Sequence, residues 1–429
     1  MFERKSIQLQ EAVTRLMKFA NPGEMEYLSP LEATGFYLAE GLVADHPVPP
    51  FDRSPYDGFA IRSSDTARAT THNPSVLKVV GEIGAGQVFS GTVGEKEAVR
   101  IMTGAAIPDG CDAVIMIEAV REIKIDDNPH IQVRRPMKAN KNISFTGEDV
   151  QQGTVVAEAG KYINPGVIAL LATFGYTQVP VRKRPATGIL VTGSELLDLD
   201  DPLEPGKIRN SNGYMIHSQA LRAGAEPIYL GKLSDDLETN FESITTNLKK
   251  VDILITTGGV SVGDYDFMPE IFNRLGANVL FNKIGMRPGS VTTVAEKNGK
   301  LIFALSGNPS ACYVGFELLA RPFIRAVLGA RHPFSPRTTA ILGADFLKKN
   351  PFDRFVRGKL ELKHGTLFAT PSGLDKSGVV SSLAEADCLI VFLKGRKESK
   401  KGEQVEVILL DSKESISMED FFADKVRGR

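Results

Sequence analysis

The sequence predicts a multidomain protein of mixed α/β and β class. A wound α/β domain is expected beside a small inserted mostly-β domain, a discontinuous helical and extended domain, and a C-terminal β barrel. The length of 429 residues exceeds what one hydrophobic core usually serves. Apolar runs alternate with helical patterns over 185–330, which is typical of a largely parallel sheet covered by helices. Short apolar runs between glycine turns occupy 51–147 and the region after 331.

The domain boundaries follow from changes of pattern along the chain. Pro47-Val48-Pro49-Pro50 is a rigid extended segment of the kind that separates domains. Beyond residue 331, turns recur between short β runs, which predicts a small barrel or sandwich. The predicted domains are the discontinuous N-terminal domain (1–50 and 148–184), the inserted mostly-β domain (51–147), the α/β domain (185–330) and the barrel-like domain (331–429).

Three helices are predicted in the discontinuous domain. Ser6 is a candidate N-cap for the first helix, whose apolar residues fall on one face. Ser29-Pro30-Leu31-Glu32 combines an N-cap serine, a proline at the first helical position and a glutamate three residues after the cap. This signature predicts a second helix that continues to about Val43. Asn164-Pro165 predicts the start of a third helix, which Gly175 ends.

The α/β domain is predicted from strands and helices that follow one another in turn. Such alternation favours a wound sheet with helices on its faces. The predicted strands are Gly188–Val191, Ile228–Leu230, Val251–Ile255, Val279–Phe281 and Leu301–Leu305, and the predicted helices are Tyr214–Arg222, Leu237–Leu248 and Pro309–Val327.

Composition excludes several classes of protein. The 51 basic and 52 acidic residues give a net charge of −1, so no global field would attract nucleic acid or an acidic membrane. No apolar run approaches the roughly 18 residues that a membrane span requires, and the start of the chain lacks a secretion signal. Cys111, Cys312 and Cys388 are too widely spaced for a disulfide framework or a zinc pattern. A soluble cytoplasmic enzyme with a small-molecule substrate is expected.

Four predicted loops follow strands of the α/β domain. Ligands of wound sheets bind at the carboxyl ends of the strands, so these loops should open on one edge. Glycine lets backbone N–H groups approach an anion closely. Acids beside a phosphate require a divalent cation between them, usually Mg²⁺, and the edge therefore predicts a Mg²⁺–pyrophosphate site. The loops are Thr192–Glu195, Ser234–Asp236, Thr257–Asp266 and Ser306–Ser310.

Simpler interpretations of these loops stay open. Asp235-Asp236 stands directly before a predicted helix and could serve only as N-cap and first-turn acids. Glu195 could be a solvated loop residue, and Gly258-Gly259 could be a plain strand exit. Two nucleotide motifs are excluded, because Asp264 stands where a P-loop requires lysine and the glycine-rich 81–86 segment opens no helix.

Further polar motifs lie outside these loops. Lys283 and Arg287 flank a glycine in a turn that ends in proline and glycine, where two cations could hold one anion; ordinary surface charge is the alternative. In the inserted domain, aromatic residues surround Asp57-Gly58, which is either a simple turn or part of a built surface. Composition alone does not indicate a role for two further polar turns, Arg100–Gly104 and Thr146–Asp149.

Taken together, these segments resemble the molybdopterin molybdenumtransferases, the family of the MoeA proteins and the gephyrin E domain. The segments occur in the family order over about residues 7–410. The glycine-rich 258–264 stretch alone would indicate only the shared molybdopterin-binding domain, whereas the full series is specific. Ser194, Ser290 and Ser306 depart from the family pattern, and Ser290 replaces a cation of the family.

The resemblance implies a homodimer that inserts molybdenum from molybdate into adenylylated molybdopterin, with Mg²⁺-dependent release of AMP. Its site would lie between the α/β domain of one subunit and the inserted domain of the other. The predicted catalytic residues are Asp57, Thr103, Glu195, Asp235 and Asp236; the substrate-binding residues are Asp149, Gly258, Gly259, Ser261, Asp266, Lys283, Arg287, Gly307, Asn308 and Pro309; the Mg²⁺ ligands are Glu195, Asp235 and Asp266.

Other functions are compatible with parts of the pattern. A divergent paralogue could prefer tungstate, since the two oxyanions are nearly the same in size and charge. A nucleotide- or pyrophosphate-cleaving relative would share only the α/β domain and would not need Asp57 or Thr103. A scaffold that binds peptides is the third hypothesis. Candidate protein partners of the favoured enzyme are a molybdopterin adenylyltransferase and apo-molybdoenzymes.

Overall fold

The computed structural model describes residues 5–234, 236–259, 267–349, 351–396 and 398–410. The chain divides into two units, each with its own core. The larger unit comprises Met1–Glu40, Ala159–Pro165 and Gln178–Arg429, and the inserted unit comprises Gly41–Glu158 and Gly166–Thr177. Among the described residues, no helix has the length and apolar character needed to cross a bilayer.

The helices and strands are numbered in chain order. Up to residue 184 they are α1 (Leu9–Met17), β1 (Met25–Leu28), β2 (Leu42–Val43), β3 (Gly58–Ile61), β4 (Ser75–Ile83), β5 (Glu97–Ile101), β6 (Ala113–Met116), β7 (Val120–Ile125), β8 (Asn128–Val133), β9 (Val155–Ala157), α2 (Pro165–Thr173) and β10 (Val179–Arg182). From 185 to 330 they are β11 (Ala186–Thr192), β12 (Leu196–Leu197), β13 (Ile208–Arg209), α3 (Asn212–Ala223), β14 (Glu226–Leu233), α4 (Leu237–Leu248), β15 (Ile253–Thr257), α5 (Met268–Leu275), β16 (Asn278–Phe281), β17 (Met286–Arg287), β18 (Thr293–Lys297), β19 (Lys300–Leu305), α6 (Pro309–Gly315) and α7 (Arg321–Val327). Beyond 330 they are β20 (Arg337–Leu342), β21 (Asp353–Lys363), β22 (Thr366–Pro371), β23 (Cys388–Phe392) and β24 (Gln404–Leu409).

A wound sheet forms the centre of the larger unit. In the described residues its strand order is β14-β11-β15-β19-β18-β16. The first four strands are parallel to one another, and β18 runs antiparallel to both neighbours. Successive residues of one strand enter different cores: Ile189 packs in one, and Leu190 packs in the other. Both faces of the sheet are therefore buried, as expected where helices cover it, and the predicted fold class is confirmed.

Five elements of the α/β region were not predicted from the sequence, and one differs in form. The unpredicted elements are the strands β12, β13, β17 and β18 and the helix α5. The predicted helix over Pro309–Val327 consists of α6 and α7 joined by a π-helical turn, Phe316–Ala320. Such a turn inserts one extra residue into the helical repeat, which hydrophobic periodicity does not reveal over so short a stretch.

The C-terminal region is a closed barrel rather than a sandwich. Its strands follow the order β21-β22-β20-β24-β23, and pairing of β23 with β21 closes the ring. Closure removes the open edges that a sheet would otherwise present to other chains. Phe346 and Phe392 stack in its core with ring centroids 4.3 Å apart. The short strand β17 of the preceding region pairs in parallel with β21.

The predicted helix from Ser29 to Val43 is wrong. The capping signature itself is present, because the Ser29 hydroxyl donates to Glu32 Oε2 at 2.7 Å and the Ser29 N–H donates to the same oxygen at 3.3 Å. The chain nevertheless makes only a turn there and then extends, with Leu38 forming an isolated bridge to Val181. Backbone partners from distant segments replace the helical hydrogen bonds, which local sequence signals cannot anticipate.

The other two helices of this region form as predicted, with one corrected detail. The first, α1, begins at Leu9 with Gln8 as its N-cap, and no side chain caps it. Ser6 is therefore not its N-cap, and the sequence prediction was wrong on this point. The third predicted helix, α2, begins at Pro165 and ends at Thr173, two residues before Gly175.

The inserted unit is built on a second sheet with the order β6-β3-β5-β4-β8-β7 in the described residues. The strand β3, next to the edge strand β6, is buried throughout. Its first residue, Gly58, lies against β6 so closely that an added Cβ would stand 2.0 Å from the carbonyl oxygen of Ile115. Gly58 is therefore a strand residue whose lack of a side chain permits close packing, and the simple-turn interpretation of Asp57-Gly58 was incomplete.

Because of this contact, Gly58→Ala should lower the free energy of unfolding by about 2 kcal/mol or more, since two backbone segments would have to separate. Urea unfolding of the purified variant measures the change. Gly84→Ala is the matched control, because the nearest atom to its added Cβ would be the flexible Gln87 amide oxygen, 3.8 Å away. Equal stability of Gly58→Ala and the wild-type protein would contradict the steric argument.

Candidate active site

A cavity of about 1050 Å³ lies at the carboxyl ends of β11, β15 and β19. Each of the four loops predicted to open on one edge contributes described residues to its wall, as expected for a wound sheet. Residues of these loops on the cavity wall are Thr192, Gly193, Ser194, Glu195, Ser234, Thr257, Gly258, Gly259, Ser306, Gly307, Asn308 and Pro309. Predicted residues Asp235, Ser261 and Asp266 lie outside the described residues.

The loop after β11 positions Glu195 through a glycine. Gly193 has φ +137°, and a Cβ built on it would meet Glu195 Oε2 at 2.3 Å. The carboxylate of Glu195 therefore folds over the bare Cα of Gly193. The Glu195 carbonyl oxygen accepts a hydrogen bond from the N–H of Ile208 at 2.9 Å. The backbone of Glu195 is thus fixed while its side chain stays exposed at the cavity.

The loop after β15 needs glycine for close approach between loops. Gly258 has φ +90°, and a Cβ there would stand 2.3 Å from Thr192 Oγ1. An added Cβ on Gly307 would in turn meet the Cα of Gly258 at 3.4 Å. The Gly258 N–H donates to the Leu305 carbonyl at 3.1 Å. The glycine pair is therefore more than a strand exit, because three loops pack together at this point.

Three asparagines on the described cavity wall were not predicted from the sequence: Asn210, Asn212 and Asn240. Asn212, the first residue of α3, donates from Nδ2 to Thr257 Oγ1 at 3.0 Å and to the Gly307 carbonyl at 2.8 Å. It thereby ties the start of the helix to two of the cavity loops. Asn210 is buried, and its Oδ1 accepts from the Gly213 N–H at 2.9 Å. The available signal was the pair Asn210 and Asn212 on either side of Ser211, at the start of a predicted helix.

Two acids, Asp235 and Asp236, precede α4, and only Asp236 belongs to the described residues. Asp236 is the N-cap of α4, since its Oδ2 accepts from the N–H and the hydroxyl of Thr239 at 2.8 and 2.7 Å. These bonds, the backbone one first, hold the pKa of Asp236 below its usual range. The capping interpretation left open by the sequence therefore describes the contacts of Asp236. A catalytic role of the Asp236 carboxylate stays a prediction.

The two cations of the basic turn are not among the described residues of the cavity wall, although Val291, directly after the turn, lines the cavity. Lys283 is partly buried and Arg287 is exposed, and neither is among the described residues that line the cavity. The guanidinium of Arg287 lies over the ring of Phe352, 5.4 Å from its centroid. The turn is closed by a hydrogen bond from the Ile284 N–H to the Ser290 carbonyl at 2.9 Å. Anion binding by this turn stays a prediction.

The start of α6 joins the cavity to the barrel region. Asn308 is the N-cap residue and Pro309 the first helical residue, as in many helix starts. Next in the chain, Ser310 donates its N–H to the Ser377 carbonyl at 2.9 Å and its hydroxyl to the Val379 carbonyl at 2.7 Å. Gly378 and Val380 of that segment line the cavity. The contribution of this segment was not predicted, because no motif in it suggested a site.

The three polar motifs of the inserted unit lie together. Asp57 Oδ1 accepts from the N–H and the hydroxyl of Thr103 at 2.7 and 2.8 Å. Asp52 Oδ1 accepts from the N–H and the hydroxyl of Thr146, both at 2.8 Å. Two aspartate–threonine pairs thus anchor the 51–60 segment to the two polar turns. Asp149 is exposed on the second of these turns.

The surface around these pairs carries exposed rings. The accessible fractions are 44% for Phe51 and Tyr56 and 38% for Phe145. Asp57 and Thr103 also remain exposed. The Thr103 N–H, followed by its hydroxyl, lowers the pKa of Asp57 from the ordinary 3.8. Asp57 is therefore held as a carboxylate, beside apolar groups that solvent can reach.

Family comparisons cover most of the chain. The MoeA N-terminal region (domain I and II) matches residues 7–175. A family described as a probable molybdopterin binding domain matches residues 188–326, which include the cavity loops. The MoeA C-terminal region (domain IV) matches residues 339–410. The three matches follow one another in the order that the sequence motifs predicted.

Individual relatives are similar over their full lengths. The molybdopterin molybdenumtransferase of Bacillus subtilis (strain 168) is 52% identical over 408 residues, 95% of each chain. That of Staphylococcus aureus (strain Mu50) is 46% identical over 410 residues, 96% of this chain and 97% of the relative. The crystal structure of a molybdopterin biosynthesis moeA protein from Pyrococcus horikoshii OT3 superposes with a TM-score of 0.81 at 31% identity, covering 95% of this chain and all of that one.

The hydrogen bonds of Asp57 lead to a pH prediction. Because the folded pKa lies below 3.8, the stabilisation from ionised Asp57 is present above pH 3.8 and is lost as the pH falls through the lower folded value. Thr103→Val removes the hydroxyl donor and should raise the pKa of Asp57 toward 3.8. A carboxyl ¹³C NMR titration measures this shift.

Thr146→Val is the control for this titration, because the hydrogen bonds that Thr146 donates are accepted by Asp52 and not by Asp57. The pKa of Asp57 should stay where it is in that variant. An unchanged pKa of Asp57 in Thr103→Val, or an equal change in both variants, would contradict the assignment.

Proposed function

This chain belongs to the MoeA family of molybdopterin molybdenumtransferases, and we propose that it inserts molybdenum from molybdate into adenylylated molybdopterin, with Mg²⁺-dependent release of AMP. Its place as a transferase of molybdenum cofactor biosynthesis follows from the full-length relatives. The finer reaction rests on one observation above the others: glycine- and hydroxyl-rich loops converge on one cavity within the molybdopterin-binding region.

Glu195 fits a role as a Mg²⁺ ligand. Its carboxylate is exposed at the cavity, and no described basic side chain forms an ion pair with it. Mg²⁺ needs only one or two carboxylates when phosphate oxygens complete its shell, so a cage of protein ligands is not required. The described residues contain no group of three or more His, Cys, Asp or Glu that could hold a metal alone. Asp235 and Asp266 complete the proposed set of ligands.

Bound Mg²⁺ would offset the charge of phosphate oxygens, while the chain orients the pyrophosphate. Because the N–H of Gly258 is engaged by Leu305, we assign Gly258 the role of allowing close approach. Gly259, Ser261 and Gly307 are proposed as the groups that face the substrate.

The ends of two further segments complete the proposed site. Asn308 and Pro309 fix the start of α6 at the cavity. Lys283 and Arg287 are proposed to hold the oxyanion. Ser290 supplies no charge there, so Arg287 would carry more of the molybdate binding than in relatives with a second cation.

The acting unit is proposed to be a homodimer with composite sites. Asp57, Thr103 and Asp149 of one subunit would complete a site formed by Glu195 and its neighbours in the other. Exposed rings around Asp57 support an interface role, because such groups are enriched where proteins meet. The three cysteines are free, which suits the reducing cytoplasm. A molybdopterin adenylyltransferase and apo-molybdoenzymes are the proposed protein partners.

The direct test incubates the purified protein with adenylylated molybdopterin, Mg²⁺ and either molybdate or tungstate. AMP release that requires Mg²⁺ and molybdate is expected. A requirement for tungstate instead would favour the divergent paralogue. AMP release that needs neither oxyanion would favour a pyrophosphate-cleaving relative.

The role of the acids before α4 can be separated from helix capping. Asp236→Ala and Asp235→Ala should each slow AMP release by about tenfold or more, because a carboxylate that would favour Mg²⁺ beside the pyrophosphate is lost. Asp236→Ser keeps an N-cap acceptor and removes the carboxylate. It should lose the same activity while retaining the stability that Asp236→Ala gives up with the loss of the N-cap. Full activity of Asp236→Ser would leave Asp236 with capping alone.

The composite site can be tested by complementation. In a mixed dimer of Asp57→Ala with Glu195→Ala, one site carries both lesions and the other carries neither. Random mixing should make about half of the dimers heterodimeric, each with one intact site, so activity should recover to roughly a quarter of the wild-type value. AMP release by co-expressed, differently tagged subunits measures the recovery.

A mixed dimer of Asp57→Ala with Thr103→Ala is the matched control. Both lesions then belong to the same half of the site, so each site in the heterodimer is damaged and no recovery is expected. Verified Asp57→Ala/Glu195→Ala heterodimers that stay inactive would refute the composite site.

A further inference from the structure

The described wall of the cavity carries few charges. Among its described residues the charged side chains are those of Glu195 and Arg209, and the remainder are neutral. The proposed substrate brings a pyrophosphate into this space, and phosphate groups are usually met by cations or backbone donors. Among the described residues that line the cavity, Arg209 is therefore the basic one.

The guanidinium of Arg209 is held in place by neutral groups. Arg209 lies at the end of β13, where its Nε donates to the Leu199 carbonyl and its Nη2 to the Asp201 carbonyl, both at 3.1 Å. Carbonyl acceptors fix the plane of the guanidinium without neutralising its charge. An arginine has five N–H donors, so these two bonds leave further donors for a ligand.

The lysines on either side of Arg209 in the chain form ion pairs. Lys232 pairs with Asp198 at 3.2 Å, and Lys207 pairs with Glu204 at 3.8 Å. In the described part of the chain, Arg209 forms no ion pair. The carboxylate of Asp201, the nearest acid that contacts it through the backbone, accepts from the Asp198 N–H at 2.7 Å instead. The charge of Arg209 is thus left for a ligand.

We propose that Arg209 binds a phosphate group of the substrate's pyrophosphate in this cavity. The inference rests on the proposed function for the identity of the substrate, and it adds a binding residue that the family motifs did not provide. The planar guanidinium matches two phosphate oxygens at once, which a lysine cannot do. Its anchoring to Leu199 and Asp201 reduces the side-chain freedom that binding would otherwise cost.

The test uses ADP as a probe that carries a pyrophosphate and adenosine as its phosphate-free counterpart. Calorimetric titration of the full chain, with and without Mg²⁺, gives both dissociation constants. Arg209→Gln should weaken ADP binding by about tenfold or more, as expected for a lost charge-assisted pair, and should leave adenosine binding unchanged. Arg209→Lys should recover part of the loss, because it keeps the charge without the planar fork.

Lys207→Ala is the matched control, because Lys207 lies on the same connection but is absent from the cavity wall. It should bind ADP within about twofold of the wild-type protein. Unchanged ADP binding in Arg209→Gln, equal loss in Lys207→Ala, equal loss of adenosine binding, or no ADP binding by the wild-type protein would overturn the inference.

The two proposals can fail separately. If the wild-type protein releases no AMP with molybdate while ADP binding still depends on Arg209, the proposed reaction is wrong and the phosphate contact stands. If the reaction proceeds but ADP binding ignores Arg209, only the phosphate contact is wrong. Circular dichroism melting of each variant confirms that the comparison is made on folded protein.

Discussion

The contact between glycine loops at the ends of parallel strands is the constraint on which the site depends. A Cβ at Gly258 would collide with Thr192, and one at Gly193 would collide with the carboxylate of Glu195. A Cβ at Gly258 would force the loops after β11 and β15 apart, because the backbone of Thr192 stands 2.6 Å from it, and the cavity would change its shape. The buried sheet fixes the strand ends from which the loops start. The close contacts at the glycines then fix the loops against one another.

Much of the fold could be predicted because the patterns that indicate it extend over long stretches of the sequence. Strand–helix alternation over more than a hundred residues averages out local errors, and it predicted the wound sheet. The helix expected at Ser29 failed for the opposite reason. Its capping bonds form, yet Leu38 finds a backbone partner in Val181, which lies far away in the chain. Backbone pairing between distant segments routinely overrides the helix propensity of a local sequence. The exact domain boundaries stay predictions.

The site was partly predictable for a similar reason. Strand ends and glycines identified the cavity loops, because topology alone brings them to one edge. Asn212 was missed because its partners, Thr257 and Gly307, are contributed by other loops. Arg209 was not predicted, because its proposed role follows from the lack of an ion-pair partner among the described residues, and that is seen only in the structure. Which groups bind metal and oxyanion stays a prediction.

The hydrogen bonds of Ser310 have a consequence for how this protein could have evolved. Its N–H and hydroxyl are received by the carbonyls of Ser377 and Val379, on a connection between two barrel strands. A domain swapped in from another lineage would have to offer two acceptors with the same spacing, or the cavity would lose a wall. Exchange of the barrel would therefore have to preserve the path of this connection. Its side chains are free to vary at the two contacts, because the acceptors are backbone oxygens, which every amino acid supplies.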